Sequence, residues 1–303
     1  MMNMDYMKDE QSINDNWERV ISAPIRWAGS KSTLLNDLLS TFEKERDNYI
    51  EPFLGSGAVL INVLNNNERL GYKHFYVNDS NQNVIGFYKN LKNNPNQFIN
   101  ELLGVVNRYN ALQTLDKKEE MYYEARELFN KDIKKNLYFY FLMKACFNGV
   151  YRENSKGGFN VPFGRKDKVV CDTEKLLTIS KMIKNVKFYC YDYKRFYQKL
   201  EQLNAIKKSF VYCDPPYIPD DDSVYKTQTL YSKPLFDHEM FFKSMKDMSN
   251  NGSKIIISMS DSKKANDIYN NAPFHKEEVR ELLRTVNPRR MLSSKEIIFT
   301  NIQ

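Results

Sequence analysis

The residues with the plainest chemical potential stand in immediate succession: a carboxylate, two prolines and a ring, Asp214-Pro215-Pro216-Tyr217. They follow Ser209-Phe210-Val211-Tyr212-Cys213, an apolar, β-branched and aromatic run that reads as a buried strand. Proline removes a backbone donor and fixes φ, so the corner after Asp214 is stiff and cannot continue a ladder. Ligands of open α/β sheets bind beyond the carboxyl ends of strands. That puts Asp214 at the rim of a cleft, with the Pro215 carbonyl and the Tyr217 ring beside it. These groups suit an exocyclic amine on a planar base. Such a nitrogen is a poor nucleophile because its lone pair is delocalised into the ring. The Asp214 carboxylate and the Pro215 carbonyl would accept from both N–H groups and favour a pyramidal, more nucleophilic nitrogen. The Tyr217 face would stack on the base, a contact worth roughly 1–3 kcal/mol. Taken alone, the four residues read equally as a strand and a proline turn whose acid caps a loop.

Several upstream segments have the form needed to build such a cleft. In Ala23-Pro24-Ile25-Arg26-Trp27-Ala28-Gly29-Ser30-Lys31, Gly29 and Ser30 permit a tight turn, and leucines at 34, 35, 38 and 39 predict a helix after it. A loop at a helix start is a natural anion site, to which Lys31 adds charge; a proline-led turn with a surface lysine is the simpler reading. Asn48-Tyr49-Ile50-Glu51-Pro52-Phe53-Leu54-Gly55-Ser56-Gly57 reads as strand, glycine turn and helix start, with glycines that let the backbone approach a cofactor. The third glycine of a dinucleotide fingerprint is missing, which disfavours a nicotinamide-dependent dehydrogenase. Asp79 ends the strand Phe75–Asn78 at roughly the 20-residue offset where a carboxylate reaches ribose hydroxyls. It is also placed to cap a helix that begins near Asn81. Asp192 and Tyr193 end a further strand, Val186–Tyr191.

Residues 81–148 are helical in texture, with apolar and aromatic residues at three- and four-residue steps and a boundary at Pro95. The pattern then changes. From Phe147 to Arg165, Gly, Asn, Arg and aromatic residues alternate at hairpin-like spacing. Between Arg152 and Lys168 five basic residues (Arg152, Lys156, Arg165, Lys166, Lys168) face two acids, Glu153 and Asp167. This stretch suits DNA, with cations and amides on phosphates, Arg and Asn on base edges and an apolar wedge at a base step; a surface hairpin is the plain counterpart.

Asp-Pro-Pro-Tyr after an apolar strand resembles the catalytic motif of Dam-type DNA adenine-N6 methyltransferases, the alpha group of amino-methyltransferases. The order of the other segments resembles the same family from about Ala23 to Asn301. The resemblance implies an α/β fold: a Rossmann-like, S-adenosylmethionine-dependent sheet, mixed and mostly parallel, interrupted by a mainly helical target-recognition domain carrying a β-hairpin. The expected division is residues 20–81 and 173–303 for catalysis, 82–172 for recognition and 1–19 as an extension. The resemblance implies Asp214, Pro215 and Tyr217 as catalytic residues. It implies cofactor contacts from Trp27, Ala28, Gly29, Lys31, Glu51, Pro52, Phe53, Gly55, Gly57, Asp79, Asp192, Tyr193 and Asp214, with Ser30 standing where the family has a second glycine. On DNA, Arg152 would read a guanine, and Phe147 would wedge beside the extruded base. Asn148, Asn154, Asn160 and Arg165 would hold backbone, while Val150 and Pro162 would touch bases. The hairpin is similar to those of GATC methyltransferases and of the relative acting on GATATC; GATC is the expected site.

Composition sets the bounds. A chain of 303 residues with formal charge +7 fits one large domain with an insertion and tolerates a polyanionic partner such as double-stranded DNA. Cys146, Cys171, Cys190 and Cys213 are widely spaced, and His74, His238 and His275 do not cluster, so reduced thiols, a cytoplasmic setting and no metal are expected. No apolar run approaches a membrane span. A monomer is expected in solution, and the N-terminal segment is expected to be loosely attached. Three other readings compete: a cytosine-N4 methyltransferase, which more commonly carries Ser in place of Asp214; a protein- or RNA-directed amine methyltransferase; and a catalytically silent DNA-binding relative.

Overall fold

The computed structural model describes residues 17–303 except Ala28, Ser30, Ser32, Thr33, Pro219, residues 221–235, Pro288 and Arg289; for the rest of 279–296 it describes the backbone alone. The expected cofactor contact at Ala28 lies outside the described residues, as do most of residues 218–236, which the sequence presents as a long connection after Asp-Pro-Pro-Tyr.

The chain folds around seven strands: β1 (Asn48–Glu51), β2 (His74–Asn78), β3 (Val186–Tyr189), β4 (Ser209–Cys213), β5 (Lys254–Ser260), β6 (His275–Asn287) and β7 (Arg290–Thr300). Their order in the sheet is β3-β2-β1-β4-β5-β7-β6. The first five are parallel, and β7 runs antiparallel to both β5 and β6. Successive strands move outward from β1 on one side and from β4 on the other. The β1/β4 boundary is therefore the point where the winding reverses, and the crevice above it is where such sheets take ligands.

Side chains of the central strands alternate between two buried layers. Tyr49, Val77, Phe210, Tyr212 and Ile256 face one core; Ile50, Tyr76, Val211, Cys213, Ile255 and Ile257 face the other. A parallel sheet covered on both faces must be apolar on both, which is why these strands read as continuous apolar runs. Cys213 belongs to the second layer, its Sγ 3.6 Å from Met245 Sδ, and so faces away from the side of Asp214.

The helices are α1 (Leu35–Ser40), α2 (Ala58–Asn65), α3 (Asn67–Leu70), α4 (Gln82–Asn93), α5 (Pro95–Asn110), α6 (Leu115–Asn130), α7 (Lys135–Ala145), α8 (Thr173–Met182), α9 (Tyr193–Gln202), α10 (His238–Asn250) and α11 (Lys263–Tyr269). Helices α4 to α7 fill the segment between β2 and the glycine-rich stretch, and α4 packs against both β3 and α7. The aromatic stripes of α4–α7 are core: Phe87, Tyr88, Tyr109, Tyr122, Phe139, Tyr140 and Phe141 are buried in the same cluster as Tyr49 and Phe210. Among the described residues no helix is long and apolar enough to cross a membrane.

The glycine-rich stretch folds back on itself without forming two named strands. It is held by isolated bridges, Cys146 to Phe163 and Glu153 to Phe159. Pro162 has no N–H for a ladder, and Gly157 with φ +79° turns the tip, so pairing is broken at both places.

Of the segment Met1–Trp17, expected to be loosely attached, only Trp17 lies among the described residues, and there the chain is already held. Glu18 N–H donates to Asn66 Oδ1 at 2.9 Å, and the Arg69 guanidinium lies 4.3 Å from the centre of the Trp17 ring. Asn62, wholly buried on α2, extends the clamp: its Oδ1 accepts from Ile21 N–H and its Nδ2 donates to Ile21 O, both at 2.9 Å. One side chain thus mimics a strand partner for the backbone that leads into Trp27 and Lys31. Asn62→Ala is expected to destabilise the protein by about 1–3 kcal/mol, the cost of leaving such groups unpaired. Urea denaturation checks this, and an unchanged midpoint would remove the clamp from the stability of the fold.

Candidate active site and recognition surface

The site is assembled at the carboxyl edge of the sheet. Asp214 follows β4, Glu51 ends β1 and Asp79 follows β2, so three carboxylates of distant sequence meet around the switch point. Lys31, 4% exposed, closes one side. Its Nζ donates to both Asp214 carboxylate oxygens at 2.7 Å and to the Tyr217 hydroxyl at 2.6 Å. The Gly29 carbonyl lies at 3.3 Å and the Tyr217 ring centroid at 4.9 Å. Pro215 is buried beneath this corner.

The turn after β1 takes its shape from tertiary contacts. Gly55 (φ +51°) and Gly57 (φ +74°) lie in the left-handed region. A Cβ on Gly57 would run into the Tyr88 hydroxyl, which donates to the Ser56 carbonyl. A Cβ on Gly55 would stand 3.2 Å from Trp27 Cδ1. These two positions need glycine for space as well as for conformation. Asp79 Oδ2 accepts from Gly55 N–H and its Oδ1 from Asn81 N–H, each at 2.8 Å. Asp79 therefore braces the turn and the entrance to α4, where Asn81 is the N-cap. Each of its oxygens keeps a second lone pair for a ligand.

Asn78 was missed by sequence reasoning. Buried at the end of β2, it donates to Pro52 O at 3.1 Å and Tyr191 O at 2.9 Å, and accepts from Tyr191 N–H at 2.9 Å. It ties the carboxyl ends of β1, β2 and β3 together. An Asn one residue before an acid reads as a turn former, so nothing local marks this role.

Asp192 is exposed and caps α9, accepting from Lys194 and Arg195 N–H. Its visible role is thus that of a strand end and helix cap. Tyr193 is different: its ring packs with Phe53, Phe236 and Phe241, and its buried hydroxyl has no hydrogen-bond partner among the described residues. An orphaned hydroxyl in an aromatic lining fits the adenosine of S-adenosylmethionine, which is aromatic and polar, and the carboxylates at the strand ends fit its sulfonium and α-ammonium cations. Among the described residues no group of His, Cys, Asp and Glu is arranged to hold a metal ion.

Trp27 links the two halves of the site. It packs against Gly55 and stacks on Tyr151, centroids 5.6 Å apart at 22°. Tyr151 lies between Val150 and Arg152, so the glycine turn and the glycine-rich stretch share one aromatic joint. Phe147, Asn148 and Gly149 form a tight 3₁₀ turn, with Asn148 at φ +54°. Phe147 (54% exposed), Asn148, Val150 and Pro162 face outward, and Phe147 N–H donates to Pro162 O at 3.0 Å. Arg152 Nε donates to Asn160 Oδ1 at 2.7 Å and its Nη2 to Asn160 O at 3.2 Å, so Asn160 aims the guanidinium. Asn154 Oδ1 accepts from Lys156 and Gly158 N–H at 3.0 Å, which makes its visible role that of holding the tip. Arg165 is exposed at φ +49°.

The helices latch this loop from below. Tyr109 OH donates to Lys166 O, Tyr122 OH to Val161 O at 2.8 Å, and Asn130 pairs with both backbone groups of Phe159. The buried Phe159, Val161 and Phe163 anchor it to the helical core.

Burial sets the charge state at the base of the site. Desolvation, with Asp214 and Asp79 nearby, raises the Glu51 carboxyl well above its ordinary value of 4.5, opposed by the hydrogen bond from Tyr49 OH at 2.8 Å. Desolvation also raises Asp79, against the two backbone hydrogen bonds that it accepts. A carboxyl raised on folding favours the folded state below 4.5, and that contribution is lost as pH climbs through the raised value. Glu51→Gln is therefore expected to raise the melting temperature of the ligand-free protein, by a margin that widens as pH increases from 4.5 toward neutrality. A margin independent of pH would show that Glu51 titrates normally.

Comparison with known proteins agrees with this geometry. The family described as D12 class N6 adenine-specific DNA methyltransferase matches residues 27–283. A type II methyltransferase of Methanocaldococcus jannaschii, M.MjaIII, is 34% identical over 249 residues, 78% of this chain and 83% of that protein. A DNA adenine methylase of Haemophilus influenzae is 28% identical over 90% of this chain and 91% of its own length. One from Escherichia coli K12 is 31% identical over 64% of each. With its doubly wound sheet, its carboxylate corner and this match over most of its length, the chain belongs to the D12 class of S-adenosylmethionine-dependent, N6 adenine-specific DNA methyltransferases.

Proposed function

We propose that the chain methylates N6 of an adenine extruded from double-stranded DNA within GATC, with Asp214, Pro215 and Tyr217 as the groups that receive the base. The observation that carries the assignment is the position of Asp214, at the end of β4 and beside the strand at which the sheet reverses direction. An amine inside a stacked duplex cannot reach this corner, so the target base must leave the stack. The Asp214 carboxylate and the Pro215 carbonyl accept the two N6 hydrogens and turn the nitrogen lone pair outward. The Tyr217 ring supports the base. S-adenosylmethionine supplies an electrophilic methyl on its sulfonium sulfur. Positioning and electrostatics account for the rate, and no covalent enzyme intermediate is required.

Trp27, Gly29, Lys31, Glu51, Pro52, Phe53, Gly55, Gly57, Asp79, Asp192 and Tyr193 are the proposed cofactor-side residues. Glu51 and Asp79 suit its cationic and hydroxyl groups, and Tyr193 with Phe53 suits its base. On the DNA side, exposed Phe147 is the proposed wedge, with Arg152, aimed by Asn160, the reader of a guanine. Asn148, Val150, Asn154, Pro162 and Arg165 complete the contact surface. Residues 82–172 are the proposed recognition unit, and residues 20–81 with 173–303 the catalytic one. The site GATC is supported by the recognition loop's likeness to GATC enzymes; a GATATC enzyme shares the first three bases and is the second reading.

Asp214→Ala is expected to lower methyl transfer by roughly 10²–10⁴-fold, the range for loss of a positioned proton-handling group, with the fold intact. Transfer from labelled cofactor measures it, and full residual activity would remove Asp214 from the reaction. Arg152→Ala is expected to lose about 1–3 kcal/mol of discrimination at one base pair. Methylation-sensitive sequencing of DNA from cells expressing each form maps the site and reads the change; an unaltered preference would refute the guanine assignment.

A further inference from the structure

Lys31 is a cation that the reaction just described does not use at the place where it stands. Among the described residues its N–H groups face Asp214 Oδ1 and Oδ2 at 2.7 Å, Tyr217 OH at 2.6 Å and Gly29 O at 3.3 Å. The carboxylate and the ring it engages are those assigned to the adenine amine and the adenine face. An ammonium is a stronger hydrogen-bond donor than a neutral arylamine, and Lys31 is tethered, so an extruded base meets a corner already taken.

Charge points the same way. Positive charge develops on N6 as it attacks, and Asp214 stabilises that charge best when no other cation sits at contact distance. Lys31 must then give up the carboxylate, yet its side chain is 4% exposed and cannot simply turn to solvent. It needs a second anion within the cleft. The cofactor of this family brings one, the carboxylate of its methionine moiety, and Trp27, four residues before Lys31, packs on the glycine turn at Gly55.

We infer that Lys31 is a positioning residue that couples the two substrates: without cofactor it holds Asp214 and Tyr217 and keeps the base out, and with the cofactor's carboxylate present it moves to that anion and frees Asp214 and the Tyr217 ring for adenine. The inference rests on Asp214 as the acceptor of the adenine amine.

The test uses the full chain and a duplex in which the mapped target adenine is replaced by 2-aminopurine, whose fluorescence rises when it leaves the stack. For the natural protein, the DNA complex is expected to be dim alone and severalfold brighter with S-adenosylhomocysteine. For Lys31→Met, the complex is expected to be bright without cofactor and little changed by adding it. Affinity for S-adenosylhomocysteine should fall about tenfold in that variant, the scale of one lost charge-assisted bond. Lys31→Arg should keep the cofactor dependence. Full brightness of the natural complex without cofactor would overturn the coupling whatever the variants do, as would a Lys31→Met complex as dim as the natural one. Absence of adenine methylation by the natural protein would instead count against the proposed reaction.

Discussion

The structure is governed by the cost of holding carboxylates out of water at one edge of a sheet. Glu51 is fully buried, Asp79 is half-buried and Asp214 is partly open. Each meets that cost differently. Glu51 favours its protonated form and takes a hydrogen bond from Tyr49. Asp79 accepts from the backbone of Gly55 and Asn81. Asp214 is paired with the buried Lys31. A site with this charge balance favours a ligand that brings cations of its own, because buried anions gain most from a partner that is itself removed from water. S-adenosylmethionine, the methyl donor of the family, carries a sulfonium and an ammonium.

The second constraint is rigidity. The glycine turn is held by Tyr88 from the helical segment, by Trp27 from the N-terminal side and by Asp79 from the next strand. Asn78 joins three strand ends just below it. The recognition loop has little regular pairing of its own, and it borrows order from α5 and α6 through Tyr109, Tyr122 and Asn130. The loop can therefore carry Phe147 and Val150 exposed to water without collapsing onto them. The Trp27–Tyr151 stack joins the loop to the glycine turn at Gly55, so both share one aromatic packing.

Much of this could be read from the chain. The central strands announce themselves because β1, β4 and β5 are buried on two faces, and an acid ends or follows β1, β2, β4 and β5 at the edge where ligands bind. Leucines at helical spacing marked α1, and the basic, glycine-rich stretch marked the outward-facing loop. Other assignments proved to have a second, structural content. Asp192 caps α9, Asn154 holds a turn, and Asp79 braces the glycine loop. In each case the residue serves the backbone, and short-range pattern cannot separate that use from ligand binding.

The sequence by itself determined the elements and the inventory: which runs become strands, where they stop, and which acids, glycines and rings stand at those stops. Tertiary structure alone decided the partnerships. Lys31 and Asp214 are 183 residues apart, and they meet because β4 inserts beside β1, an outcome of sheet order that no local spacing encodes. Asn62, Asn66 and Asn78 look like solvated or turn residues until burial forces their amides onto backbone groups. The physical reason is common to all of them. Periodicity records which faces avoid water, whereas the partner of a buried polar group depends on which other chain segment is brought against it.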